Sequence, residues 1–269
     1  MEPSTELITQ VSELARQAGA HIMRFYGGHA AVTWKKDTSP LTAADRASHD
    51  FLVESLKFIL PEATVVSEES NEPMNSSVDG TASFWLVDPL DGTKEFLKGT
   101  NEFTVNIALI EGGVPVLGIV HAPALSLTYY GGRHIGAWRQ ANSRPPTLIS
   151  TRRADPSQLA VVASKDHAGP LVSTMLARLP NPQLQSMGSS LKFCLVAEGK
   201  ADIYLRDLPT MEWDTAAAQC IVEVAGGGVY SLEGKPLRYG KAGLKNPPIM
   251  TIGDVQSDWL TLVLPDDDK

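Results

Sequence analysis

Residues 84–93 read Phe84-Trp85-Leu86-Val87-Asp88-Pro89-Leu90-Asp91-Gly92-Thr93, and they indicate more about the fold than any other segment. The four apolar residues predict a short buried strand. The strand runs directly into a turn that Pro89 stiffens, and this turn can present Asp88, Asp91 and the Leu90 carbonyl to one side. Hard oxygen donors on a short rigid loop suit Mg²⁺. The alternative is an acidic surface turn, since Asp, Pro and Gly are common turn formers.

The residues that follow this turn predict a phosphate site. Gly92 and Thr93 would open a short helix over residues 94–98. The free N–H groups and the positive dipole end of that helix would face any phosphate held by metal ions at the turn.

Two further acidic sites lie at the ends of predicted elements. Glu68-Glu69 follows a predicted buried strand, and Asp214 stands at the start of an apolar helix. Taken singly, the first is a solvated pair and the second an ordinary N-cap. Together with residues 88–91 they supply separated carboxylates at the ends of regular elements, the arrangement that builds rigid metal sites.

Two other segments are ambiguous. Asp45 lies in the first turn of a predicted helix, where an Asp normally offsets the helix dipole. Gly188-Ser189-Ser190-Leu191-Lys192 is a Gly/Ser-rich helix entry that could hold an anion or a ribose, or could be a Ser-capped helix start. The cluster at 164–167 is a weak polar feature.

Composition bounds the function. The chain has 269 residues, two isolated cysteines and a formal net charge of −8, so its surface would repel a nucleic acid polymer. A small anionic substrate is compatible if metal ions supply positive charge. The N-terminus lacks a signal-peptide pattern, and no apolar run approaches the roughly 20 residues of a membrane span. We therefore expect the cytoplasm, with peripheral contact to the cytoplasmic side of the inner membrane left open.

The pattern of elements predicts two lobes. Residues 1–145 would form an α+β lobe that carries the acidic motifs, and residues 146–269 an α/β lobe that carries the 188–192 loop. Polar loops are expected at 35–40 and 70–82, and turns at Gly112-Gly113 and Gly131-Gly132. Helices are expected at 5–26, 43–60, 167–179, 189–198 and 214–225, and strands at 64–67, 84–87, 103–110, 114–121, 126–131, 135–139, 160–163, 203–205 and 247–252.

The three acidic motifs, in this order and at these separations, resemble the metal motifs of the inositol-monophosphatase-like, lithium-sensitive phosphatases. Three more segments resemble the CysQ-type 3'(2'),5'-bisphosphate nucleotidases within that superfamily. The resemblance covers about residues 10–250 and rests on residues 39–45, 92–96 with 103–110, and 188–199.

The resemblance implies a layered αβαβα sandwich with the active site between the halves. Glu68, Asp88 and the Leu90 carbonyl would hold one Mg²⁺. A second Mg²⁺ would be held by Asp88, Asp91 and Asp214, and a third, more weakly bound ion would lie near Glu68. Asp45 and Thr93 would position and deprotonate the attacking water, with Glu68 as a further catalytic residue. The Gly92 and Thr93 N–H groups would hold the phosphate. Ser189, Ser190, Lys192 and Asp214 would contact the nucleotide substrate.

The implied reaction converts adenosine 3',5'-bisphosphate to AMP and phosphate, which removes a by-product of sulfate assimilation. The metal motifs alone do not separate this activity from that of an inositol monophosphatase or a sugar-bisphosphatase. A non-catalytic regulator that binds a nucleotide or a metal is the alternative of a different class. The sequence leaves open a monomer or a homodimer.

Overall fold

The structure, a computed structural model, describes residues 2–27, 32–34, 40–70, 82–163 and 169–263. The predicted loops at 35–40 and 70–82 lie largely outside these ranges, and the polar cluster at 164–167 lies wholly outside them. In chain order the elements are α1 (Thr5–Met23), β1 (Val32–Trp34), β2 (Pro40–Thr42), α2 (Ala43–Ile59), β3 (Thr64–Ser67), β4 (Phe84–Asp91), α3 (Thr93–Lys98), β5 (Thr104–Glu111), β6 (Val114–Ala122), β7 (Leu127–Gly132), β8 (Gly136–Ala141), β9 (Thr147–Ile149), β10 (Ala160–Ala163), α4 (Pro170–Arg178), β11 (Gln183–Ser186), α5 (Leu191–Ala197), β12 (Ile203–Arg206), β13 (Thr210–Met211), α6 (Ala216–Val224), β14 (Gly228–Ser231), β15 (Lys245–Asn246), β16 (Ile249–Ile252) and α7 (Trp259–Val263).

The strand at residues 84–91 lies inside a sheet that, in the described ranges, has seven strands in the order β3-β4-β5-β6-β7-β8-β9. β4 pairs in parallel with β3, and each later pair is antiparallel. Both faces of β4 are covered. Trp85 and Val87 pack into the core beneath α1 and α2, while Phe84 and Leu86 pack into the core shared with α5 and α6. This double burial explains why the strand is continuously apolar rather than alternating.

The second large sheet has the order β11-β10-β12-β16-β14 in the described residues. β10 is parallel to β11 and β12, and β16 is antiparallel to β12 and β14. α5 and α6 lie between the two sheets, and α4 and α7 cover the outer face of the second. The layers are therefore helices, sheet, helices, sheet, helices, which confirms the predicted αβαβα sandwich.

One predicted turn is wrong. Gly131 and Gly132 lie within β7, and the chain reverses after them. A Cβ atom on Gly131 would stand 2.7 Å from Cγ2 of Val224, and one on Gly118 in β6 would stand 2.1 Å from the Ala217 carbonyl oxygen. These glycines therefore let α6 approach the sheet closely. Gly112 and Gly113 do form the predicted turn, with φ of 56° and 73°.

Other differences from the sequence predictions are local. The strands β9 and β11 were not predicted, and both are short edge strands with little apolar alternation. The helix expected from 214 begins at Ala216, after a 3₁₀ turn over Glu212–Asp214. The division into two lobes at 145/146 stays a prediction. The central core contains residues from both sides of that boundary.

In the described residues, no helix combines the length and the apolar character needed to cross a membrane.

Candidate active site

The turn after Val87 is built by an irregularity in the sheet. The pairing of β4 with β5 shifts register between Asp88 and Asp91. Pro89 has no N–H to donate to a ladder, so the irregularity coincides with the proline. The Pro89 carbonyl instead accepts a hydrogen bond of 2.8 Å from Ser48 in α2. This contact fixes the turn against the first helical layer.

Asp88 is buried, with 1% of its surface exposed. Its Oδ1 atom accepts a hydrogen bond of 3.0 Å from the Leu90 N–H, which holds the carboxylate within its own turn. The Leu90 carbonyl oxygen lies 3.4 Å from the Thr93 hydroxyl oxygen. Asp88 and Leu90 both line the cavity described below, and their joint role as metal ligands stays a prediction.

Asp91 is held from two directions. Its Oδ2 atom accepts hydrogen bonds from the Ser190 N–H at 2.7 Å and the Ser190 hydroxyl at 2.8 Å. Asn106 and Thr104 in β5 lie within 3.3 and 3.4 Å of the same oxygen. These two β5 side chains were not among the predicted site residues, although their i, i+2 spacing places both on one face of the strand.

Asp214 is not the N-cap of α6, so that interpretation is wrong. Thr215 occupies the cap position, and no side chain caps the helix. The Asp214 carboxylate instead accepts a hydrogen bond of 2.8 Å from the Met211 N–H, which closes the preceding 3₁₀ turn. The Ser190 hydroxyl lies 2.9 Å from the Asp214 carbonyl, so Ser190 contacts both acidic motifs.

Three acidic side chains, from two of the three acidic motifs, converge in space. Carboxylate oxygens of Asp88, Asp91 and Asp214 all lie within 4.8 Å of one another. Burial, and then the charges of Glu68 and Asp91, raise the pKa of Asp88 well above its usual range. Burial and Asp91 likewise raise the pKa of Asp214. Crowded carboxylates of this kind are destabilised by mutual repulsion, and a bound cation removes that repulsion.

Glu68 lines the same cavity, but it lies outside the 4.8 Å cluster. Its N–H donates to the Val87 carbonyl at 3.1 Å, so the residue extends the β3–β4 pairing to the edge of the site. Glu69 is buried, with 6% exposed, so the solvated-pair interpretation of Glu68-Glu69 is wrong for Glu69.

Asp45 and Thr93 face each other at this site. The Thr93 hydroxyl donates to Asp45 Oδ1 at 3.4 Å. The Thr42 N–H donates to Asp45 Oδ2 at 2.8 Å, and Thr42 caps α2 in a capping box. Asp45 is buried, with 2% exposed, and its Oδ1 atom is directed to Thr93 at the end of the acidic turn. Asp45 therefore closes the capping box and also reaches the site.

A cavity of about 300 Å³ joins these carboxylates to cationic side chains of the second half. Gly92, Ser189, Ser190 and Lys192 line it. Tyr204 and Arg206 line it as well, and neither was predicted. Their i, i+2 spacing in β12 would have placed both on one face of the strand.

The cationic side of the cavity is partly desolvated. Lys192 is 5% exposed, and its Nζ atom lies 5.7 Å from the centre of the Tyr204 ring. Burial lowers the pKa of Lys192 to about 8, with Asp91 acting in the opposite direction. Burial raises the pKa of Tyr204 to about 12, so this hydroxyl remains neutral at pH 7.

The donor set suits a hard divalent cation. The cluster offers three carboxylates and a nearby carbonyl, all oxygen donors. Mg²⁺ prefers oxygen ligands, whereas zinc sites in proteins are mostly built from Cys and His. Among the described residues no histidine or cysteine joins the cluster.

Comparison with known proteins agrees with this geometry. The sequence profile of the Inositol monophosphatase family matches residues 4–257, so the chain belongs to the inositol monophosphatase family. The 3'(2'),5'-bisphosphate nucleotidase CysQ of Salmonella typhimurium is 46% identical over 235 residues, which cover 87% of this chain and 94% of that protein. The protein of the same name from Escherichia coli K12 is 44% identical over 236 residues, with the same coverage of both.

A solved structure extends the likeness to three dimensions. The crystal structure of CysQ from Bacteroides thetaiotaomicron, described as a bacterial member of the inositol monophosphatase family, superimposes with a TM-score of 0.78 at 37% identity. The aligned region covers 91% of this chain and 95% of the Bacteroides thetaiotaomicron chain. The predicted family and fold are confirmed.

Proposed function

We propose that this chain is a phosphomonoester hydrolase that converts adenosine 3',5'-bisphosphate to AMP and phosphate. The observation that carries the proposal is the composition of one cavity, whose lining includes the acidic cluster together with Lys192 and Arg206. A substrate with two phosphates matches this arrangement, because metal ions on the carboxylates hold one phosphate and the cations hold the other. The relatives named CysQ support the same substrate class. The role that follows is recycling of a by-product of sulfur assimilation.

Asp88, Asp91 and Asp214 would hold two Mg²⁺ ions together with Glu68 and the Leu90 carbonyl. A third, more weakly bound Mg²⁺ would lie near Glu68. Mg²⁺ held by these residues would lower the pKa of the attacking water and would offset charge that develops on the phosphate and the leaving oxygen. The buried, mutually repelling carboxylates support this assignment, because repulsion opposes folding of the cluster without cations.

Asp45 and Thr93 are the pair that takes the proton of the attacking water. The Thr93 hydroxyl donates to Asp45, so its own oxygen lone pairs are oriented to accept from a water on the cavity side. The Thr42 N–H fixes the other Asp45 oxygen, so the carboxylate keeps this orientation.

The phosphate at the turn would contact the N–H groups of Gly92 and Thr93, where α3 begins after the left-handed Gly92 (φ 91°). Lys192 and Arg206 hold the second phosphate. Ser189 is predicted to contact the nucleotide, and so is Ser190, although its N–H and hydroxyl donate to Asp91. The cytoplasmic location, the peripheral membrane contact and the choice between monomer and homodimer stay predictions.

A direct competition assay tests the proposal. Purified enzyme in Mg²⁺ is given adenosine 3',5'-bisphosphate and inositol 1-phosphate, and phosphate release is followed for each. We expect kcat/KM for the nucleotide to exceed that for the inositol phosphate by about a hundredfold or more, since only the nucleotide reaches the second cationic site. Equal rates, or a preference for inositol 1-phosphate, would overturn the substrate assignment. Tight nucleotide binding without phosphate release would favour a regulator instead.

A further inference from the structure

Two polar side chains lie inside the central sheet, in a strand that is otherwise apolar up to its last residue. Thr104 and Asn106 are the polar residues of β5 before Glu111, and they are 0% and 1% exposed. A buried polar group costs free energy unless it is hydrogen-bonded, so two of them in one sheet strand call for a specific reason. Both lie opposite the acidic turn, because Asn106 pairs with Asp88 and Thr104 with Asp91 across the β4–β5 ladder.

The side-chain amide of Asn106 has a defined orientation. Its Nδ2 atom donates to the Ser190 hydroxyl oxygen at 2.9 Å and to Oδ2 of Asp91 at 3.3 Å. A carboxylate only accepts hydrogen bonds, so the amide must turn its N–H groups toward Asp91 and its oxygen away. The Thr104 hydroxyl donates to that oxygen, Oδ1, at 2.9 Å. A flipped amide would lose these bonds and would set its oxygen against the carboxylate.

The same network gathers its donors on one oxygen of Asp91. Oδ2 accepts from the N–H and the hydroxyl of Ser190 and from the Asn106 amide. A carboxylate oxygen has about two lone pairs, so these donors saturate Oδ2. Within the described residues, no hydrogen bond to the other oxygen, Oδ1, is found. The carboxylate is therefore fixed in one rotation, and Oδ1 is the oxygen that remains for a cation.

The loop that carries Ser190 is held in a strained conformation. Ser189 has a φ of 45°, in the left-handed region that residues other than glycine seldom adopt. Strain of this kind persists only where surrounding contacts fix the backbone. The hydroxyl oxygens of Ser189 and Thr104 lie 3.3 Å apart, and Asn106 donates to Ser190. Thr104 and Asn106 therefore help to dock this loop of the second half on the acidic turn of the first.

We infer that Asn106, oriented by Thr104, is a positioning residue for the metal site. Neither residue lines the catalytic cavity in the described ranges, so both act through the carboxylate of Asp91. They hold it so that Oδ1 is offered to a divalent cation at the acidic cluster. The inference rests on the proposed function in one respect, that Asp91 binds such a cation. Groups that orient a metal ligand typically change metal affinity by about 10–100-fold when they are removed.

Binding of Mn²⁺ to the full chain without substrate tests this, with free Mn²⁺ measured by electron paramagnetic resonance. Mn²⁺ is the probe because it prefers oxygen ligands, as Mg²⁺ does. Asn106→Ala should raise Kd for Mn²⁺ by about tenfold or more. Thr104→Val keeps the shape of the side chain but loses the hydroxyl that orients the amide, and should raise Kd by about threefold or more. Thr104→Ser retains the donor and should stay within about twofold of wild type.

Thr128→Val is the matched control. Thr128 is a buried threonine of β7 in the same sheet, and its hydroxyl lies 3.0 Å from Nδ1 of His121, outside the catalytic cavity. We expect this variant to lower Tm in EDTA as Thr104→Val does, while its Kd for Mn²⁺ stays within about twofold of wild type.

Three results would overturn the inference. They are a wild-type Kd in Asn106→Ala, an equal Kd in Thr104→Val and Thr104→Ser, and a rise in Thr128→Val as large as that in Thr104→Val. The comparison of the two Thr104 variants does not require Asn106→Ala to fold. Failure of the wild-type chain to bind Mn²⁺ at all would overturn the proposed function as well, which distinguishes the two failures.

Discussion

Ser190 donates two hydrogen bonds to a single oxygen of Asp91, one from its N–H at 2.7 Å and one from its hydroxyl at 2.8 Å. The two residues stand 99 positions apart in the chain. The hydroxyl also lies 2.9 Å from the Asp214 carbonyl. A loop of the second half of the chain thereby sets the position of two acidic motifs that come from different parts of the sequence.

Ser190→Ala should therefore weaken metal binding without unfolding the protein. Loss of a hydrogen bond to a charged group costs about 1.5–3 kcal/mol, so we expect the Mg²⁺ concentration for half-maximal activity to rise by roughly tenfold or more. Activity is measured across a Mg²⁺ titration. Ser157→Ala, which removes an exposed hydroxyl that bonds Asp155, is the control. An unchanged Mg²⁺ requirement in Ser190→Ala would show that the hydroxyl does not position Asp91.

Stability in the absence of metal should depend on pH with a defined sign. The folded-state pKa of both Asp88 and Asp214 is raised, in the second case to about 8 from an ordinary 3.8. The stability linked to these groups is therefore present below about pH 4 and is lost as the pH rises through the raised pKa. Bound Mg²⁺ should reverse this trend, because it favours the ionised carboxylates.

Thermal unfolding in EDTA and in Mg²⁺, from pH 6 to 8.5, measures this effect. We expect the rise in Tm on adding Mg²⁺ to grow with pH. Asp88→Asn should flatten that growth, since the amide carries no charge, and Asp155→Asn, an exposed change, should not. A Mg²⁺ effect that is constant across this range would contradict the charge-repulsion account.

Substrate affinity should fall at alkaline pH because of Lys192. Its pKa is lowered to about 8 by burial, so it loses its charge as the pH rises through that value. We expect KM for adenosine 3',5'-bisphosphate to rise between pH 7.5 and 9. Lys192→Arg keeps its charge over this range and should make KM nearly independent of pH. An equally steep rise in the arginine variant would assign the titration to another group.

Arg206 should distinguish substrates by their second phosphate. Arg206→Gln removes a cation from the cavity and is expected to raise KM for adenosine 3',5'-bisphosphate by about tenfold or more. The KM for 3'-AMP, which lacks the 5'-phosphate, should change by less than about twofold. If KM rises equally for both substrates, Arg206 contacts the part that the two substrates share, or it stabilises the fold.

Much of the fold was readable because its signals are local. The apolar run at 84–87, the meander of strands from 103 to 139 and the turn at Gly112-Gly113 follow from side-chain pattern and backbone preference over a few residues. The turn predicted at Gly131-Gly132 was wrong because glycine serves two different structural purposes. A glycine that forms a turn and one that admits a helix against a sheet look alike in sequence.

The amino-acid sequence by itself determined which residues carry oxygen donors and that each stands at the end of a regular element. Tertiary structure decided that Asp88, Asp91 and Asp214 meet within 4.8 Å, because that depends on the β4–β5 register and on α6 docking against Gly118. It also decided that Arg206 faces the same cavity as these carboxylates, and that Asn106 reaches Ser190. Distances between segments far apart in the chain are set by packing of the layers, which no short stretch of sequence encodes.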